Sequence, residues 1–325
     1  MKLHTDKKMF RDAVGITAQQ MNIPTIYVEK DYWVTFALKS IFKNEIGKDT
    51  IFKGGTSLAK CYKLIDRFSE DIDLVVIRRE GETDNRMKRK LKDVESAINE
   101  TLPEIEIPGL THKVGMSRKT AHSYSKIFEG IFRQIRDVIV IESTWLGYYE
   151  PYTKHKINSF VGNMMLNSGQ SELIEKYEMQ SFKVQVLVPI RTICEKIMSL
   201  VRFSYTKRPI DDLRNKIRHT YDLHQLLQQK DFLDFLYSPD FEAMLIKVAN
   251  DDVKSFKQSN KWLAYHPNES LIFKDLPSVW MQLDAAYNGS FRDLVYGDFP
   301  DSESILHTLE KIRDRMNDIE WNIMP

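Results

Sequence analysis

Hydrophobic positions in the first fifty residues recur at helical rather than strand spacing. Ile26, Tyr27, Trp33, Val34, Leu38 and Ile41 form a broad apolar face with the acid–base pair Lys30-Asp31 near its start. Pro24 stands in the first turn of that helix or just before it. The texture changes at Thr50-Ile51-Phe52-Lys53, a short β-prone run that stops at Gly54-Gly55. A helical stripe of Leu58, Tyr62 and Ile65 follows at once. Asp73 to Ile77 (DLVVI) predicts a strand, and Asp84 to Leu102 predicts a charged amphipathic helix with Leu91, Val94, Ile98 and Leu102 on one side. Two more β-rich runs cover Val138–Thr144 (VIVIEST) and Phe182–Val188 (FKVQVLV). Between them the stretch holding Gly162, Asn163, Asn167, Ser168 and Gly169 has no clear period and includes loop. After Pro189 the pattern is helical almost to the end. One helix covers Arg191–Phe203. Another follows Pro209, with Asp211 and Asp212 where the helix dipole favours acids and Leu213, Ile217 and Tyr221 as its stripe. Helices, a β-rich core and a helical final third predict an α+β protein with domains over 1–188 and 189–325.

Composition narrows this picture without naming a chemistry. The chain has 325 residues, 42% hydrophobic and 29% charged, room for two domains. Lys and Arg number 47 against 46 Asp and Glu, a net charge of +1, which excludes gross attraction to nucleic acid but not a local basic face. Arg86–Lys92 and Arg202–Arg218 are such local stretches. Mean hydropathy of −0.40 and the lack of any apolar run near 18 residues exclude a transmembrane helix, so no membrane partner is expected. The opening MKLHTDKKMFRDAV puts charges where a secretion signal needs its apolar core. Cys61 and Cys194 have no CxxC partner, which argues against a zinc site or a disulfide framework and fits a reducing cytoplasm. His219 and His224 are five apart and do not share a helical face, so a histidine-built metal site is not expected.

The chemistry lies in Phe52-Lys53-Gly54-Gly55-Thr56-Ser57-Leu58 and, one helix later, Arg67-Phe68-Ser69-Glu70-Asp71-Ile72-Asp73-Leu74. Residues two apart on a strand share a face, so Asp71 and Asp73 point together. Carboxylates held side by side repel unless a cation neutralises them. Mg²⁺ suits this role because it takes one or two carboxylates and completes its shell with water and substrate phosphates. Two such ions about 3.5–4 Å apart clamp the attacking and leaving oxygens of an in-line phosphoryl displacement. Gly54-Gly55, between a strand and a helix, lets the backbone approach a phosphate, and the helix N-terminus offers N–H groups to the same anion. Thr56 or Ser57 can cap that helix or give a hydroxyl to phosphate. The spacing is neither a P-loop nor a GxSxG elbow.

The run GGTSL…RFSEDIDL, preceded by VEKDYWV at Val28–Val34, resembles the AbiEii/AbiGii-type nucleotidyltransferases, within the DNA polymerase β-like superfamily. These are the toxin halves of bacterial toxin–antitoxin and phage-defence pairs. The resemblance covers about Pro24 to Leu227; the last hundred residues match no named pattern. It implies that Gly54, Gly55, Thr56, Ser57, Asp71 and Asp73 form the nucleotide and metal site. It also nominates Lys196, from Arg191-Thr192-Ile193-Cys194-Glu195-Lys196, and Asp222, from Arg218-His219-Thr220-Tyr221-Asp222. Outside the motif Lys196 reads as a solvated helix lysine and Asp222 as an i, i+4 partner of Arg218. Arg191 and Glu195 read as a structural brace. A third carboxylate is usual in the superfamily; Glu142 is the nominee, an acid in an apolar strand, with Glu150 as its rival. Lys30 and Asp31 belong to the motif but receive no step.

The expectation is an NTP-dependent nucleotidyltransferase using Mg²⁺ or Mn²⁺ that passes NMP to a hydroxyl acceptor and releases pyrophosphate. The resemblance implies an RNA acceptor, the 3′ end of tRNA, rather than DNA, with translation blocked, and a cognate antitoxin protein. Two other readings stay open: transfer of a γ-phosphoryl group or AMP to a protein on the same fold, and a degenerate module that only binds a partner. The intact acids and glycines argue against the last.

Overall fold

A computed structural model describes all residues except 100, 131–134, 147–148 and 258. The chain divides into two compact units. One comprises Met1–Lys63, Phe68–Trp145 and Tyr152–Leu187; the other comprises Leu64–Arg67, Leu146–Pro151 and Val188–Pro325.

The first unit begins with α1 (Lys7–Met21), capped by the Asp6 carboxylate, which accepts from the Met9 N–H, and closed by Asn22 in the left-handed region. Pro24 is the N-cap of α2 (Thr25–Lys43). Thirteen residues of α2 are buried, among them Glu29, Lys30 and Asp31, so this is a core helix and not an amphipathic surface one. Next come β1 (Thr50–Lys53), the single turn α3 (Gly54–Ser57), β2 (Ile72–Val76) and α4 (Asp84–Asn99). Then follow β3 (Glu104–Ile105), β4 (His112–Val114), β5 (Ser117–His122), β6 (Ile139–Thr144), β7 (Tyr152–Ile157), α5 (Phe160–Asn167), α6 (Ser171–Lys176) and β8 (Phe182–Leu187). The strands form one mixed sheet in the order β3-β5-β6-β2-β1-β8-β7, with β4 paired to β5. β2 runs antiparallel to β1 and parallel to β6. The central strands read Ile51-Phe52 and Leu74-Val75-Val76, all buried, because both faces are covered. The fold is α+β.

The structure departs from expectation in several places. The stretch without a clear period holds β7, α5 and α6 between its loops. Strands β3 to β5 have no counterpart in the hydrophobic pattern, since Ser117–His122 has no apolar alternation to announce it. The helix after Gly54-Gly55 is shorter than its stripe predicts: α3 passes into a π-helical turn over Leu58–Tyr62, and Lys63 at φ 55° ends it. Ile65 therefore belongs to no helix, although it is buried. Leu102 is buried but lies beyond the end of α4.

The second unit is built from α7 (Pro189–Phe203), α8 (Pro209–Arg214), α9 (Arg218–Leu227), α10 (Lys230–Tyr237), α11 (Pro239–Ser255), α12 (Leu271–Lys274), α13 (Leu276–Ala286) and α14 (Ser302–Met316). Proline at the first turn sets the start of α7, where its missing N–H costs no bond. The stripe read as one helix after Pro209 is two, α8 and α9, yet Leu213, Ile217 and Tyr221 are all buried. Residues Leu64–Arg67 join this unit through an antiparallel bridge from Arg67 to Val295 and N–H donation from Tyr296 and Gly297 to the Asp66 carbonyl.

Candidate active site

In the first unit, strand register puts four charged side chains in one row. Lys53 on β1 opposes Asp73 on β2, Asp73 opposes Glu142 on β6, and Glu142 opposes Lys119 on β5. Opposed residues share a face of the sheet, so the row reads cation, acid, acid, cation. Lys119 Nζ lies 3.1 Å from Glu142. Asp73 is half-buried, and its carboxyl is pushed up to about 7, first by burial and then by the charges of Glu142 and Asp71; Lys53 and Lys119 oppose the shift.

Asp71 stands one residue before β2, so the expected strand-borne pair is one strand residue and one from its approach. Its Oδ1 accepts from Arg136 Nη1 at 2.9 Å. Beside these acids Gly54 packs against the Asp73 side chain. Gly54 has φ +78°, and a Cβ there would stand 2.2 Å from Asp73 Oδ2. Both the backbone and the space thus require glycine. The hydroxyls of Thr56 and Ser57 turn inward. Thr56 Oγ1 donates to the Asp71 carbonyl (2.6 Å) and pairs with Ser69 (2.9 Å), while Ser57 Oγ donates to the Gly54 carbonyl (2.8 Å). Thr56 ties α3 to the approach of the acid strand, and what the turn offers an anion is its backbone N–H groups.

Among the described residues no three His, Cys, Asp or Glu side chains are gathered into a ready metal cage. A cage is not what Mg²⁺ needs, because it binds through one or two carboxylates plus water and phosphates. Asp73, a hard oxygen donor whose ionisation is made costly by burial and by the charges of Glu142 and Asp71, suits such an ion. Glu150, the rival third acid, is exposed and belongs to the second unit.

The second unit holds the other two nominated residues, on α7 and α9. Asp222 is fully buried, with Arg67 Nε and Nη2 each 2.7 Å from its two oxygens and Lys196 Nζ 2.7 Å from Oδ2. Burial opposes its charge, but Arg67 and then Lys196 outweigh burial and hold the carboxyl well below its usual range. Lys196 is buried rather than solvated, and Asp222 pairs here with Arg67 and Lys196. His219, one turn before Asp222, has Nδ1 3.5 Å from Lys196 Nζ; burial and then Lys196 hold it far below its usual value. Arg191 braces Glu195 at 3.1 Å and also Asp251 at 2.6 Å.

Arg67, Lys119 and Arg136 carry no signal in the sequence pattern. Arg67 lies inside RFSEDIDL, but nothing local announces a partner 155 residues away. The basic stretches are thinner than they read: Lys90 is buried against Asp49 and Glu82, and Arg208 and Arg214 both pair with Asp211. Burial pushes the Cys61 thiol up to about 12, and Cys194 is buried too, so neither is a thiolate nucleophile.

The sequence pattern of the family described as nucleotidyl transferase AbiEii toxin, type IV toxin–antitoxin system, matches residues 37–315. The chain belongs to that family, and it is a nucleotidyltransferase that uses an NTP. The match runs well past Leu227 and takes in most of the second unit; it begins after the VEKDYWV run. No curated protein matches the chain. No described helix is long and apolar enough to cross a membrane.

Proposed function

We propose that this member of the AbiEii family transfers NMP from an NTP to the 3′ end of a tRNA, blocking translation until a cognate antitoxin protein restrains it. The observation that carries the reading is the cross-strand row in which Asp73 and Glu142 face each other beside Asp71 and the Gly54 turn.

Asp71 and Asp73, with Glu142, are the residues that would hold Mg²⁺ or Mn²⁺; bound there, the cation polarises the phosphoryl oxygens and neutralises charge in the transition state. Gly54 to Ser57 receive the triphosphate on backbone N–H groups, in keeping with the inward turn of both hydroxyls. The acceptor hydroxyl attacks the α-phosphorus, the bond to the bridging oxygen breaks, and pyrophosphate leaves with the electron pair. We assign charge neutralisation of the triphosphate to Lys196 and orientation of that ammonium to Asp222, on the motif match and their ion pair. The catalytic domain is residues 1–188 and the helical domain 189–325. RNA backbone meets the exposed Lys88, Arg89 and Lys92 of α4.

The test uses Mg²⁺, total tRNA and each NTP labelled separately at the α and γ positions. α label on RNA that is lost in Asp71→Ala/Asp73→Ala supports the reading. γ label on protein assigns the site to a kinase instead, and transfer that survives the double substitution sinks the catalytic roles.

A further inference from the structure

Three consecutive charged side chains in the second turn of a core helix need an explanation. Glu29, Lys30 and Asp31 of α2 are at most 5% exposed. A buried ion pair generally contributes no more stability than apolar residues of the same volume, so stability alone does not explain the run. Where the three reach is more informative.

Lys30 points to the acids. Its Nζ lies 3.2 Å from Glu70, the residue before Asp71, and donates to the carbonyls of Arg136 and Val138, on the approach to β6. Glu70 Oε1 in turn accepts the Arg136 N–H at 3.0 Å, and the Arg136 side chain holds Asp71. One ammonium thus fixes the approaches to β2 and β6, the two parallel strands whose register sets Asp73 against Glu142.

Asp31 points to the glycine element. Its Oδ1 pairs with Lys60, in the π-helical turn that continues α3, and its Oδ2 accepts the Phe160 N–H at 2.7 Å. Successive helix residues diverge by about 100°, which is how neighbours in sequence reach two separate elements. Glu29 accepts the N–H groups of Ile127 and Phe128 at 2.7 and 3.1 Å and serves a third segment.

We infer that Lys30 and Asp31 are positioning residues for the two halves of the active site, Lys30 aligning the carboxylates and Asp31 aligning the glycine turn. The inference rests on the site reading proposed above and deepens it. Burial makes both ions costly to leave alone: it lowers the pKa of Lys30 and raises that of Asp31, each opposed by its partner.

The two halves predict separable defects in the full chain. Lys30→Met is expected to weaken Mn²⁺ binding, read by electron paramagnetic resonance, at least tenfold and to lower kcat, with metal-free affinity for a fluorescent NTP analogue within threefold of wild type. Asp31→Asn and Lys60→Met are expected to reverse the pattern, raising KM and weakening the analogue at least tenfold while Mn²⁺ binding holds. Lys30→Met/Glu70→Leu removes both buried charges and keeps the test open if Lys30→Met folds poorly; it should regain thermal stability and remain slow. Equal losses in both ligands for all variants, or recovery of kcat in the double variant, overturn the inference in favour of a purely structural brace. A wild-type chain that binds neither Mn²⁺ nor the analogue sinks the site reading and this inference together, whereas wild-type binding without the split sinks this inference alone.

Discussion

Gly54 and Asp73 are mutually exclusive with any side chain between them: a Cβ on Gly54 would stand 2.2 Å from the Asp73 carboxylate. The same residue sits at φ +78°, where an L side chain costs about 1–2 kcal/mol. Gly54→Ala is therefore expected to reduce nucleotidyl transfer about 100-fold or more with only a modest fall in the urea midpoint. Adding Asp73→Ala removes the colliding oxygen, so the double variant should recover part of the lost stability while staying inactive. A Gly54→Ala enzyme at full rate would separate the glycine turn from the acids' work.

That contact was half legible in the sequence. A Gly-Gly between strand and helix and a D-x-D at the next strand are local patterns, although Asp71 falls one residue short of β2. Central strands such as Leu74-Val75-Val76 were equally plain, because a strand buried on both faces has to be apolar throughout. What stayed hidden is set by distant partners. Nothing in Arg67 itself foretells Asp222, and nothing in the polar run Ser117–His122 foretells a strand that places Lys119 against Glu142. The meaning of Lys30-Asp31 was hidden for the same reason: a charged pair on an apolar helix looks like a surface feature until its partners are seen to be buried.

The two substitutions that break the Lys196–Asp222 pair should behave differently. Asp222→Ala removes the carboxylate that both Arg67 and Lys196 hold, and breaking a buried pair this way costs about 3–5 kcal/mol. Lys196→Met leaves Asp222 its bidentate Arg67 and should cost much less. Urea denaturation separates them. If Lys196→Met also abolishes transfer, its effect is chemical, and Asp222→Ala cannot be read without the stability correction. Equal destabilisation by the two would show that Arg67 does not sustain Asp222 alone.

Arg136 occupies Asp71, and a divalent ion must compete with it there. The guanidinium is 38% exposed and free to leave at small cost, since exposed ion pairs contribute about 0–1 kcal/mol. Arg136→Gln should therefore raise Mn²⁺ affinity a few-fold, measured by titration in the absence of nucleotide. If the guanidinium moves to the triphosphate once displaced, the same variant raises KM for NTP. Unchanged metal affinity would mean that Asp71 and Arg136 stay paired during turnover.

Asp73 gives the site a pH dependence whose sign can be worked out. Its folded pKa, near 7, lies above the ordinary 3.8, so between those values the native chain binds a proton that the unfolded chain has lost. Metal-free stability must then fall as pH rises from about 4 to 7, and Asp73→Asn should be more stable than wild type above that window and indistinguishable below it. Partial exposure of the side chain screens the effect, so the gain at pH 8 is expected at about 1–3 kcal/mol rather than the full shift. Activity runs the other way, because the ionised carboxylate is the competent form. At scarce metal kcat/KM should rise through about pH 7. Excess Mg²⁺ should move the midpoint toward acid, since metal binding expels the proton. Glu142→Gln removes the stronger of the two repulsions on Asp73 and should shift the metal-free midpoint the same way. A rate profile indifferent to metal concentration would mean that Asp73 is not the group that titrates.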